Sequence, residues 1–249
     1  MRNLVRWMIG LTLAMPVWAG NVAEGTFFYG RAEPTLPPAE SRYEQLSFEL
    51  EHCGSIVRTR WYDANRVLLA VDELEAPAGR LKRYRYWRPN VDERVEMDRD
   101  GEMLLIERHD ADRLRSVRLP AGLQVAAGPL LLLDAVRDRS SIAAGRPLQV
   151  SYAVPEQMAT YDMSLTRMQP SPGPDGGIVV TASSWLVRPF MHPVELYFDR
   201  RGELARVRGR VLPVMGRPGR AEPLDADARV ERSEVRACSD QPNTVLTDH

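Results

Sequence analysis

Two stretches, MDRDGEMLLIER (Met97–Arg108) and FDRRGELARVRG (Phe198–Gly209), share one pattern. Each sets Asp three residues before Gly, at Asp98/Gly101 and Asp199/Gly202, then runs into interleaved apolar and charged residues. The spacing predicts a type I turn followed by a left-handed residue that Gly accepts cheaply, with Asp capping the turn through its side chain. A shorter cousin, YDANRVLLAVDEL, starts at Tyr62, with Asn65 standing for the Gly one position early. The three are read as hairpin punctuation in both halves of one sheet, not as a catalytic motif.

Working outward, short β-rich runs lie at Tyr43–Leu50, Ile56–Tyr62 and Val67–Val71, around Tyr84, Tyr86 and Trp87, and at Met103–Arg108 and Leu114–Leu119. Turn residues separate them at the spacing of an antiparallel meander. Gly128–Arg139 breaks the rhythm with strong helix formers, Pro129 at the first helical position and Gly145 as a stop. It predicts one main helix near residues 129–143, presenting Leu130, Leu133 and Val136. Strands resume at Leu148–Val154, Tyr161–Met168, Ile178–Val187, Val194–Phe198 and Leu204–Leu212, with a loop at Pro213–Pro223 and a last strand near Arg229–Cys238. The fold class is mainly β (α+β): a curved antiparallel sheet or half-barrel with one helix packed on it. Residues 20–40, with Pro34, Pro37 and Pro38, read as an extended arm. Residues 41–239 read as one domain, and 240–249 as a loose tail.

The first residues read as a secretory signal. Arg2 and Arg6 precede an apolar run from Leu4 to Val17, and small residues before the predicted cut after Ala19 suit a signal peptidase. Cleavage takes the formal charge from −1 to −3. That balance argues against nucleic acid as a partner. No other stretch suits a membrane span, so the expectation is a periplasmic protein that is not integral to the membrane. In an exported chain, Cys53 and Cys238 invite a disulfide, worth about 5 kcal/mol for so long a loop before any strain.

Candidate chemistry is sparse. His52, His109, His192 and His249 show no metal-ligand spacing, and no nucleophile elbow or phosphate loop is present. The expectations are no enzyme, no metal and no cofactor. Arg206, Arg208 and Arg210 fall on one strand face, with Arg83/Arg85 and Arg113/Arg115 as shorter echoes. They read as a charged sheet surface paired with neighbouring carboxylates, in preference to a phosphate-binding strip. Trp61, Tyr84, Tyr86, Trp87 and Trp185, with Leu130 and Leu133 of the helix, are candidates to line an apolar ligand site. They equally suit core and cross-strand packing.

The stretches SSWLVRPFMHPVELYFDRRGELARVRG (Ser183–Gly209), AAGRPLQVSYAVPEQMATYDMSLTRM (Ala143–Met168) and RTRWYDANRVLLAVDELE (Arg58–Glu75) resemble a family of uncharacterised exported bacterial proteins. That family is similar in element order to periplasmic lipoprotein carriers of the Lol type. The resemblance implies a helix across a concave sheet, with room for an acyl chain between them. The leading expectation is a non-enzymatic periplasmic binding or carrier-like protein for a lipid or apolar ligand. The alternative is a structural or accessory envelope protein acting through protein contacts.

Overall fold

Fifteen strands hydrogen-bond into one sheet in the computed structural model, which describes residues 26–35, 45–110, 113–122, 124–169 and 176–235. The first half comprises β1 (Thr26–Pro34), β2 (Leu46–Cys53), β3 (Ile56–Tyr62), β4 (Leu68–Glu75), β5 (Arg83–Arg88), β6 (Glu93–Asp100), β7 (Met103–Asp110) and β8 (Arg113–Pro120). After the two-residue β9 (Val125–Ala126) come helices α1 (Leu130–Arg137) and α2 (Arg139–Ala143). The second half continues with β10 (Leu148–Val154), β11 (Ala159–Arg167), β12 (Gly177–Ala182), β13 (Val194–Phe198), β14 (Leu204–Arg217) and β15 (Arg220–Val235). Both halves are meanders, joined where β1 pairs with β2 on one side and β15 on the other. The edges are β8 and β9, and every pairing is antiparallel except β9 with β10.

The connection between those edges dictates the curvature. Laid flat, fifteen strands would span about 67 Å at ~4.8 Å per step. Yet Pro120 ends β8 and Val125 begins β9, and a four-residue link reaches at most about 18 Å. The sheet must therefore curl until its edges approach, although they do not pair. Its inner face is filled. Leu104 and Ile106 of β7 share a cluster with Val125, Ala126, Leu130 and Ala153 from the far end of the sheet. A second cluster joins Leu46, Phe48, Trp61 and Leu69 to Leu224 and Ala226. A third packs Leu131, Ala135 and Ile142 on β10 to β13. Burial of Leu130 and Leu131, about 1.5–3 kcal/mol each, holds a helix too short to persist alone.

Several expectations are corrected. The predicted single helix is two, broken at Asp138, whose φ of −95° and ψ of 10° leave the helical region. Arg137 bridges Asp134 and Asp138 there, at 2.6 and 3.0 Å. The predicted arm at 20–40 contains β1, a strand in the middle of the sheet. The predicted loop Pro213–Pro223 is a hairpin closed by Pro218-Gly219 between Arg217 and Arg220, with Gly219 at φ 76°. Pro213 is tolerated because the β14–β15 register shifts between Arg210 and Val214. The predicted strand Ile178–Val187 ends at Ala182, because the chain turns through Ser183–Val187 into a short 3-10 turn at Arg188–Phe190.

The turn motif divides into two kinds. Asp199 Oδ1 accepts from the N–H groups of Arg201 and Glu203 at 2.8 and 2.9 Å, and Gly202 takes a φ of 82°. The turn at Asp63 repeats this, with Oδ1 accepting from Asn65 and Val67, both at 2.8 Å. The left-handed position there is Arg66, at φ 64°, not Asn65. The third differs. Asp100 pairs with Met103, leaving a two-residue turn in which Gly101 has φ 60° and Glu102 has no positive φ, the signature of a II′ hairpin. Asp98 caps nothing there and pairs with Arg83 at 2.6 Å.

Candidate functional site

Alternation along β5 sends Tyr84, Tyr86 and Arg88 inward, and cross-strand register sets Asp72, Glu93 and Arg108 on the same face. They form a buried polar seam between the halves of the sheet. The Arg88 guanidinium donates from Nη1 to Glu93 Oε2 at 2.7 Å, from Nη2 to Glu156 Oε1 at 2.6 Å and from Nε to the Leu212 carbonyl at 2.7 Å. Arg108 Nε lies 2.8 Å from Glu93 Oε1, a charge contact outside good hydrogen-bond alignment, and Arg108 Nη1 donates to the Glu156 carbonyl at 2.8 Å. Asp72 accepts from the Thr59 N–H at 3.0 Å and from the Tyr84 hydroxyl at 3.1 Å.

Burial dominates the electrostatics. It pushes Asp72 up to about 6, against the opposing pull of Thr59, Tyr84 and Arg88. It holds Tyr84 and Tyr86 well above the ordinary phenol range. Burial alone would lower Arg88, but Tyr86, Glu156 and Glu93 outweigh it and keep the guanidinium charged. The side chains of Arg88 and Glu93 are 4% and 2% exposed, whereas that of Glu156 is 37% exposed at the rim of the seam. It ties strand to strand.

The predicted lining residues do not converge on one cavity. Trp61 packs on Phe48 in the second core cluster, ring centroids 5.2 Å apart. Tyr84, Tyr86 and Leu130 are buried in the first, with Leu133 partly buried against it. Trp87 points to the opposite face of β5 from Tyr86 and is half-buried. Trp185 is 75% exposed beside Leu186 on the turn after β12, which Arg188 pins by donating to the Ala182 carbonyl at 2.8 Å. Cys53 ends β2, whereas Cys238 lies outside the described residues. Of the histidines, His52 Nε2 faces the Gly54 carbonyl at 3.0 Å and burial lowers its pKa. The exposed His192 contacts Asp225 at 3.1 Å. Among the described residues no His, Cys, Asp and Glu cluster could hold a metal, and no helix is long and apolar enough to cross a membrane.

The arginine ladders pair as a charged sheet surface should. Arg206 bonds Asp227, Arg210 bonds Asp225 at 2.7 Å, and Arg208 meets Glu195 at 3.8 Å. On the other half, Glu73 bridges Arg58 and Arg85. Edge strand β8 gathers three arginines outside this pattern. Its Arg113, Arg115 and Arg118 form no ion pair among the described residues. They are exposed together with Leu114, which is 62% exposed. One edge of this eight-residue strand bonds β7, and its other edge has no strand beside it. The opposite edge of the sheet is protected: β9 has two residues, both buried. Sequence reading missed this contrast because alternation marks a strand but not its place in the sheet.

A curled, incompletely closed antiparallel sheet with a packed interior defines a β-barrel-like class of protein. Among solved structures, the chain is similar to a β-barrel-like protein of the domain of unknown function DUF1849 from Brucella abortus. The match has a TM-score of 0.50 and 6% identity, and it covers 86% of this chain and 98% of that one. At that identity the likeness concerns the fold alone. No protein-family model matches the chain, and no curated protein matches it either.

Proposed function

We propose that this is an exported, non-enzymatic accessory protein of the cell envelope that binds an extended, acidic segment of a partner protein along β8. The observation that carries the reading is an eight-residue exposed edge strand whose three arginines form no ion pair among the described residues, whereas most other strand arginines do. An open edge offers a row of N–H and C=O groups to an added strand. Three exposed arginines on a strand that carries no carboxylate favour a partner of opposite charge. The signal-like residues 1–19 support export. Peptide display provides the test: nine-residue sequences selected on the wild-type protein should be enriched in acidic, β-forming residues and should not bind a variant with Arg113, Arg115 and Arg118 all changed to Glu. Equal recovery on both proteins overturns the reading.

A lipid or apolar ligand between helix and sheet is the second reading, favoured by a cavity of about 170 Å³ beside α2. That volume is well below the roughly 300–1,000 Å³ of sites for drug-sized ligands, so the edge strand leads. Export also fits a Cys53–Cys238 disulfide. Thr26 pairs with both His52 and Val235, so the end of β15 lies two strands, or about 10 Å, from the end of β2. Three further residues reach that far.

A further inference from the structure

The cavity beside α2 lies under its first and last residues, Arg139 and Ala143, and over the strand ends carrying Arg167, Gly177, Ile178 and Phe198. It is a half-open pocket of about 170 Å³, with Arg167 exposed at its rim. Ala143, Ile178 and Phe198 supply apolar walls, and the charged groups among its lining residues are Arg139 and Arg167. Neither forms an ion pair among the described residues. Elsewhere arginines on the sheet meet carboxylates closely, as in Arg58–Glu73 at 2.8 Å, Arg83–Asp98 at 2.6 Å and Arg210–Asp225 at 2.7 Å.

Arg139 is held in place without a carboxylate. Its guanidinium lies 5.5 Å from the Phe198 ring centroid. It also occupies the space over Gly202, where an added Cβ would fall 1.7 Å from Nη1. A ring face attracts a guanidinium charge without engaging its N–H donors in an ion pair. The capped turn at Asp199 thus presents a bare α-carbon to the arginine. Gly101, in the other hairpin, has nothing within 4 Å of an added Cβ.

We infer that this cavity binds a phosphate group. Two guanidinium charges with no ion pair among the described residues match an anion of about −1.5 to −2 at neutral pH, and the apolar walls accommodate a short organic substituent. The shared chemistry is a phosphate monoester, whether of a free small molecule or of a lipid headgroup.

Calorimetric titration of the purified protein with inorganic phosphate, with acetate at equal ionic strength as control, provides the first arm. Flotation with phosphatidylcholine vesicles, with and without phosphatidic acid, provides the second. Arg139→Gln and Arg167→Gln should each weaken binding about tenfold or more, whereas Arg83→Gln, which removes a paired arginine, should leave it unchanged. Circular dichroism checks that each variant folds. Phosphate binding lost in Arg139→Gln supports a soluble ligand; flotation dependent on phosphatidic acid and lost in the same variant supports a headgroup. Binding in neither arm, binding indifferent to both substitutions, or an equal response to acetate overturns the inference. None of these outcomes depends on β8.

Discussion

Replacing Arg88 with Met should destabilise the protein more than replacing any arginine of the outer ladders. Arg88 joins Glu93 on β6, Glu156 after β10 and the Leu212 carbonyl on β14, so one side chain stitches both halves of the curled sheet. Met fills much of the same volume but donates nothing. It leaves Glu93 buried with the misaligned Arg108 contact and a long hydrogen bond from the Tyr86 hydroxyl at 3.3 Å, and it strips the Leu212 carbonyl of that donor. Breaking a buried ion pair from one side costs about 3–5 kcal/mol. An exposed pair such as Arg83–Asp98 is worth about 0.2–1 kcal/mol. Urea unfolding followed by tryptophan fluorescence reads the difference directly. Arg88→Met should lower the midpoint several-fold more than Arg83→Met, and Glu93→Leu added to Arg88→Met should recover part of the loss by removing the stranded carboxylate. If Arg88→Met costs no more than Arg83→Met, the buried seam does not hold the halves together.

Three further outcomes follow from the same geometry. Asp72 is raised to about 6 from an ordinary 3.8, so its contribution to stability is present below pH 4 and lost as pH rises through 6. Between pH 4 and 7 the wild type should therefore lose up to about 3 kcal/mol relative to Asp72→Asn, and parallel denaturation midpoints across that range would refute the assignment. Gly101→Ala and Gly202→Ala should each cost roughly 1–2 kcal/mol from left-handed strain, but only Gly202→Ala should also change phosphate binding, by displacing Arg139. Reduction of the exported protein should lower thermal stability, and Cys53→Ala should abolish that sensitivity; a midpoint indifferent to reductant in the wild type rules out the proposed bridge.

Local chemistry made much of the sheet legible. Asp199 with Gly202 announced a hairpin, and the alternation in Leu148–Val154 announced β10. What escaped was non-local. Thr26–Pro34 lies close to prolines and finds β15 only about 200 residues later, so nothing nearby marks it as a central strand. Leu130–Ala143 reads as one helix because propensity does not register Arg137 drawing Asp134 and Asp138 together. The candidate site was harder still. Aromatic residues were natural guesses for a ligand wall, but Trp61 and Tyr84 fill the core. The residues that set the surface chemistry are arginines distinguished only by lacking partners. Arg113 and Arg206 look alike in sequence. Asp227 bonds Arg206, whereas Arg113 forms no ion pair among the described residues, the Asp110 opposite it being engaged by Arg108.

The proposed function runs through the open edge of β8. A photo-crosslinking amino acid placed at Leu114 or Ser116, and for comparison at the exposed Val67 in the turn before β4, reads this in living cells. We expect one discrete crosslinked partner from both β8 positions and none from Val67, with the adduct mapping to an extended acidic segment. The same adducts from Val67, or no adduct from β8 in cells that express the folded protein, contradict the claim.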